Sequence, residues 1–217
     1  MTIVSRPVDA TTSADISNIQ FTVGWTRAAI AVHSVLQLPV PILLRLKADA
    51  HAPLLIDFRH HAFAWDIVPE DFPAHPVEVL VETEPTTDDV PPIFELPGRN
   101  LDSLLWIMGQ HSFAGMPASW LRPGDRYTLS RWPNLTEHAH TLSQMRMTAM
   151  LGNVYVSAQE LAVAADVSEG EAQSLINAFS LMGILRASSD VEAPVAVVEE
   201  AAPSRGLFDR LRARLGL

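Results

Sequence analysis

The stretch "VSAQELAVAADVSEGEAQSLINAFSLMGILR", residues 156–186, decides the reading of the fold. Ser157 stands three residues before Glu160, and Ser168 stands three before Glu171. At that spacing the serine hydroxyl accepts from the backbone N–H of the third helical residue, and the glutamate can reach back to the cap's own N–H. An apolar run at helical spacing follows each pair: Leu161, Ala162 and Ala165 after the first, then Leu175, Ala178, Phe179 and Met182 after the second. Each set makes one face to bury. Helices are expected near 158–165 and 169–183, with "ADVS" as the tight turn between them and Gly183 closing the second. Asn134 and Glu137 repeat the spacing upstream, so a further helix is expected near 134–151 with Asn134 as its cap. "ILRAS" and "PVAVVEE" are the two candidate strands after the last helix.

Upstream of this region, "GMPASWLRPGDRYTLSRWP" reads as a linker with a turn at Pro123-Gly124-Asp125 and a short strand, "RYTLSRW". The element order over about residues 127–199 resembles the winged helix-turn-helix domains of bacterial regulators; an ordinary three-helix bundle is the other architecture that fits. The resemblance implies that the last of the three helices would lie in a DNA major groove, its N-terminal residues on base edges and neighbouring cations on phosphates. Here that helix opens "SEGEAQ". Glu169 and Glu171 favour the helix N-terminus through its macrodipole, yet the same carboxylates would face a polyanion. Gln173 and Asn177 are residue types able to read adenine, but no lysine or arginine nearby neutralises phosphate. A protein partner is therefore expected for this domain and DNA is not, unless a dimer gathers Arg122, Arg126, Arg131 and Arg146 into one stripe.

In the first half, "TRAAIAVHSVLQ" has Ala29, Val32 and Leu36 at helical spacing and stops before Pro39. "VPILLRLKA", "PLLIDFRHHAFAWDIV" and "PVEVLVETEP" are β-rich runs. In the last, Val77, Val79 and Val81 alternate with Glu78, Leu80 and Glu82, as in a strand with one wet face. "EPTTDDVPPIFELPG" is an acidic, proline-rich loop. Asn100 can cap a helix that carries Asp102 in its first turn and Leu101, Leu104, Leu105 and Met108 as an apolar stripe. The expected fold class is α+β. Its parts are a flexible leader over 1–18, a small N-terminal α+β unit over 19–115 and a linker with a strand over 116–133. A winged-helix-like domain over 134–199, a tether at 200–204 and a basic amphipathic helix over 205–217 follow.

A chain of 217 residues, 48% hydrophobic and 18% charged, can bury a substantial core. With no cysteine it holds no disulfide, thiolate metal site or cysteine nucleophile. The run "AAIAVHSVLQLPVPILLRL", residues 28–46, approaches membrane-spanning length, but Pro39 and Pro41 interrupt it. A buried helix followed by a strand is expected there instead. Residues 1–17 contain no apolar signal-peptide core, so a cytoplasmic location is expected. The formal net charge is −10, and residues 1–110 hold 14 acidic against 6 basic side chains. That balance repels phosphate backbones.

The histidines are expected to be solvated or capped. On a strand, His60 and His61 would point to opposite faces, and on a helix His138 and His140 would diverge. There is no HExxH, no Gly-x-Ser-x-Gly elbow, no phosphate-binding glycine loop and no dinucleotide fingerprint. No catalytic, cofactor or metal site is expected, and the chain is read as non-enzymatic. Trp25, Trp65, Trp106, Trp120 and Trp132 are expected mainly as core, with at least one ring sealing the joint between the halves.

The terminus "RGLFDRLRARLGL" carries the expected partner site. On a helix, Leu207, Phe208, Leu211 and Leu215 fall within an arc of about 100°, flanked by Arg210, Arg212 and Arg214. A helix this short is marginal alone in water, so its apolar face needs a site to cover it. The candidates are a groove on another protein, an anionic lipid surface to which one short helix attaches weakly, and the chain's own domain. The function expected is a regulatory adaptor that contacts protein through its winged-helix-like domain and its tethered helix. The alternatives are a DNA-binding transcriptional regulator with an N-terminal ligand-sensing unit, and an effector that binds a cyclic dinucleotide through arginines such as Arg122 and Arg126.

Overall fold

Trp25 leads the chain into α1 (Thr26–Leu36), whose Ala28, Ala29, Val32 and Val35 make the buried face. The structure is a computed structural model and describes residues 24–188 apart from 69–70 and 138–139. After α1 come β1 (Ile42–Ala48), β2 (Leu54–Asp57), β3 (Ala62–Ala64), β4 (Val79–Pro85) and β5 (Arg99–Asn100). They form one antiparallel sheet in the order β4-β1-β2-β3-β5. On β1, Ile42, Leu44, Leu46 and Ala48 join the core, while Arg45 and Lys47 on the opposite row are exposed.

The acidic, proline-rich loop after β4 is pinned by a buried ion pair. Asp57, at the end of β2, is fully buried, and its Oδ2 lies 2.6 Å from Nη2 of Arg59. Nη1 of Arg59 donates to the carbonyls of Thr87 and Val90 in the loop. Burial alone would push the Asp57 carboxyl up. The hydrogen bonds and charge of Arg59, with His60 nearby, outweigh that and hold it below the usual carboxylate range. His60 and His61 lie in the turn between β2 and β3, and His61 has a positive φ of 47°. The run "PLLIDFRHHAFAWDIV" is thus two short strands around a turn, so the two imidazoles are not related by strand alternation.

The first half ends with α2 (Leu101–His111), and the second half contains β6 (Arg126–Leu129), α3 (Leu142–Leu151), α4 (Ala158–Ala165), α5 (Glu169–Leu181) and β7 (Leu185–Ser188). Asn100 caps α2 by accepting from the Asp102 N–H. Ser157 and Glu160 form the full reciprocal box on α4, and Ser168 accepts from the Glu171 N–H on α5. Gly183, at φ 68°, closes α5: its N–H donates to Ser180 and the Ile184 N–H donates to Phe179.

One helix start differs from expectation. Asn134 does not cap α3; its Oδ1 accepts from the Thr136 hydroxyl, and Leu135–Glu137 forms a single 3-10 turn. The helix starts at Leu142 because Thr141 and Gln144 supply the reciprocal box. The strand in "ILRAS", β7, pairs antiparallel with β6, Arg126 opposite Ser188, and Tyr127 also bridges Val156. "PVAVVEE", the leader, the tether and the basic segment lie outside the described residues. Among the described residues no helix is long and apolar enough to cross a membrane.

The Asp57–Arg59 pair makes stability depend on pH. The folded-state pKa of Asp57 is depressed, so its stabilisation is present above the ordinary carboxylate value of about 3.9 and is lost as pH falls through the folded value. Asp57→Asn should lower Tm at neutral pH and flatten the acid side of the Tm–pH curve. Thermal melts from about pH 2 to about pH 7, a range set by ordinary carboxylate titration, check this. An unchanged acid limb would contradict it.

Candidate functional site

The helix that would read DNA in a winged-helix protein is α5, and eight of its thirteen residues are buried. The cover comes from the first half of the chain. A Cβ on Gly109 of α2 would collide with the backbone of Ala178, so only glycine permits the approach of these two helices. Beside that contact the Trp106 ring packs on Phe179, with centroids 5.5 Å apart.

Residues 113–121 continue across the same face. Asn177 is fully buried, and its Oδ1 accepts from the Ala118 N–H and from Nε2 of Gln173, both at 3.0 Å. Its Nδ2 donates to the Met116 carbonyl at 2.9 Å. The Trp120 indole donates to the Ser180 hydroxyl, and its ring stacks on His33 of α1 at 3.9 Å. Burial there lowers the pKa of His33. The two side chains of α5 that could read a base, Gln173 at 5% exposure and Asn177 at 0%, are therefore enclosed. What α5 shows to solvent at its N-terminus is Glu169 and Glu171.

Of Arg122, Arg126, Arg131 and Arg146, two are held in ion pairs within the chain. Arg126 is buried, bonded to Glu160 at 2.7 Å and to the Tyr155 carbonyl. Arg131 pairs with Asp102 at 3.3 Å. Arg122 and Arg126 do line one cavity of about 370 Å³, around the turn at Pro123 and Gly124. Asp125 and Glu169 line it as well. With Arg126 already neutralised by Glu160, Arg122 is outnumbered by carboxylates there.

His61 and His111 have partners within the fold. Nε2 of His61 lies 2.8 Å from Asp102, whose carboxyl sits below its usual range through the His61 hydrogen bond first, then the charges of His61 and Arg131, against burial. His111 stacks on Phe72, and burial with the neighbouring His75 lowers its pKa. His138 falls outside the described residues. Among the described residues no group of three or more His, Asp and Glu side chains is arranged to hold a metal.

One exposed apolar surface belongs to α3. Leu142 and Met145 are 59% and 42% exposed, and Ala149 continues their row. Trp132, 57% exposed, lies against Gly152 at the end of the helix. Sequence reasoning misses this stripe, because Asn134 marks the helix start too early. The tail residues Leu207, Phe208, Arg210, Leu211, Arg212, Arg214 and Leu215 are outside the described residues. Comparisons with protein families, curated proteins and solved structures give no match.

Two substitutions test the cover on α5. Asn177→Leu would leave the buried Ala118 N–H without its partner, a loss that costs about 1–3 kcal/mol. Gly109→Ala forces the helices apart, an overpacking penalty of about 1–3 kcal/mol or more. Urea denaturation measures both, and a neutral result at either position would contradict the packing described.

Proposed function

We propose that this chain is a non-enzymatic regulatory adaptor whose winged-helix-like second half meets protein rather than DNA. The observation that carries the reading is the enclosure of Gln173 and Asn177 together with the exposure of Glu169 and Glu171 on α5. Access and charge both oppose a duplex, which presents one negative charge per about 1.7 Å of axis. The α3–α4–α5 order with the β6–β7 pair supports the winged-helix comparison, and the fold serves either use. The stripe of Leu142, Met145 and Trp132 is the surface of this half suited to a partner. The segment 205–217, with Leu207, Phe208, Leu211 and Leu215 flanked by arginines, is the second contact, joined by a tether that raises its effective concentration.

Two measurements test this reading. Labelled duplex titrated with the full chain should give no binding that steepens as salt is lowered; a steep salt slope would favour the transcription-factor alternative. Affinity capture should recover a partner with the full chain and lose it when residues 205–217 are deleted or when Leu142→Asp and Met145→Asp are combined. Surface changes of that kind leave stability within about 0.5 kcal/mol. Undiminished recovery with both variants contradicts the adaptor reading.

A further inference from the structure

The five-stranded sheet ends at β4, and β4 has a strand on only one side among the described residues. The Asp49 N–H donates to Glu78 and the Thr86 N–H donates to Pro41, which sets the phase of the β1–β4 ladder. Residues 78, 80, 82, 84 and 86 therefore turn their backbone groups toward β1. The N–H and C=O groups of Val79, Val81 and Thr83 point the other way, and no described group bonds them. An open edge of this kind is a template for another strand.

The chain enters the described region beside that edge. Gly24, at φ 75°, lies against the Pro76 carbonyl, which a Cβ at Gly24 would meet at 3.8 Å. The five residues before it, "IQFTV", alternate Ile19, Phe21 and Val23 with Gln20 and Thr22. We propose that residues 19–23 dock on the free edge of β4 as a sixth, antiparallel strand, with Phe21 opposite Val79 and Ile19 opposite Val81.

The Gly24–Pro76 proximity selects this register, and the alternation of both segments suits it. The register continues the Gly24–Pro76 neighbour relation without a gap. It sets the apolar row on the same face as Val79, which joins the core. It puts neutral Thr22 and Gln20 opposite Glu78 and Leu80. The new strand runs parallel to β1, and α1, which packs on both β1 and β4, is the helical crossover that parallel strands require. A second copy of β4 fits less well. Pairing two such strands antiparallel about any residue from Leu80 to Glu84, with the apolar rows matched, opposes glutamates at 78, 82 or 84, and like charges directly opposite are unfavourable; the register centred on Val79 avoids this but pairs only residues 77–81. The inference stands independently of the adaptor reading.

The absence of native cysteine allows a clean test. In the proposed register positions 20 and 80 are a non-hydrogen-bonded pair with Cα atoms about 4.5 Å apart, within disulfide range. Full-length Gln20→Cys/Leu80→Cys should close an intramolecular disulfide on mild oxidation, read by peptide mass. Gln20→Cys/Glu84→Cys, farther along the same row, should not. No crosslink in the first pair, or equal crosslinking in both, overturns the proposal; disulfide-linked dimers of Leu80→Cys alone overturn it in favour of a second copy. Hydrogen exchange gives a cysteine-free check: the Val79 and Val81 amides should be slow in the full chain. They should accelerate by about tenfold or more in Phe21→Pro, with core amides such as Leu44 unchanged. Fast exchange of both amides in the parent chain also overturns it.

Discussion

Two helices from different halves of the chain come together where Gly109 of α2 meets the backbone of Ala178 on α5, and the architecture is arranged around that approach. A side chain of any size at residue 109 would separate them. Close approach brings Trp106 onto Phe179 and makes one hydrophobic cluster that runs from Trp25 to Ile184. It also draws residues 113–121 over α5, where Ala118 and its backbone N–H are buried. Asn177 meets that demand with one amide: its oxygen takes two donors and its nitrogen serves the Met116 carbonyl. A buried polar group is tolerable when its partners are supplied in this way.

The functional consequence is one of access. On the proposed winged-helix reading, the face of α5 that would enter a groove is an internal seam. Carboxylates flank what remains of it, and two of its nearby arginines already bind Glu160 and Asp102. In the first half, Arg59 is likewise held, by Asp57 and the loop carbonyls. Among the described residues, the apolar row of α3 and the edge of β4 are two outward surfaces suited to polypeptide.

Local grammar is legible in the sequence and long-range cover is not. The Ser157 and Ser168 caps, the Asn100 cap and the Gly183 terminus follow from residues within a few positions of one another, and each appears where expected. The start of α3 is misread because Asn134-x-x-Glu137 and Thr141-x-x-Gln144 are competing spellings of one signal; the second engages both backbone donors. The turn at His60 and His61 hides in a continuous β-rich run, since positive φ at a histidine has no strong sequence mark. The contacts of Asn177 with residues 116 and 118 span about sixty positions, beyond the reach of any periodicity. Gly109 is the available clue: glycine inside a helix costs roughly 1 kcal/mol against alanine and calls for a packing reason.

Native-state hydrogen exchange at the Ala118 amide tests the central claim most directly, because that N–H is held by the Asn177 side chain across the seam. If the first half is an integral cover on α5, this amide exchanges only with the free energy of global unfolding, in step with the amides of α5 itself. Exchange at a much smaller free energy, with α5 still protected, would mean that the cover lifts in the native state. The helix would then be free to meet a ligand, and the proposed preference for protein over a duplex would lose its basis.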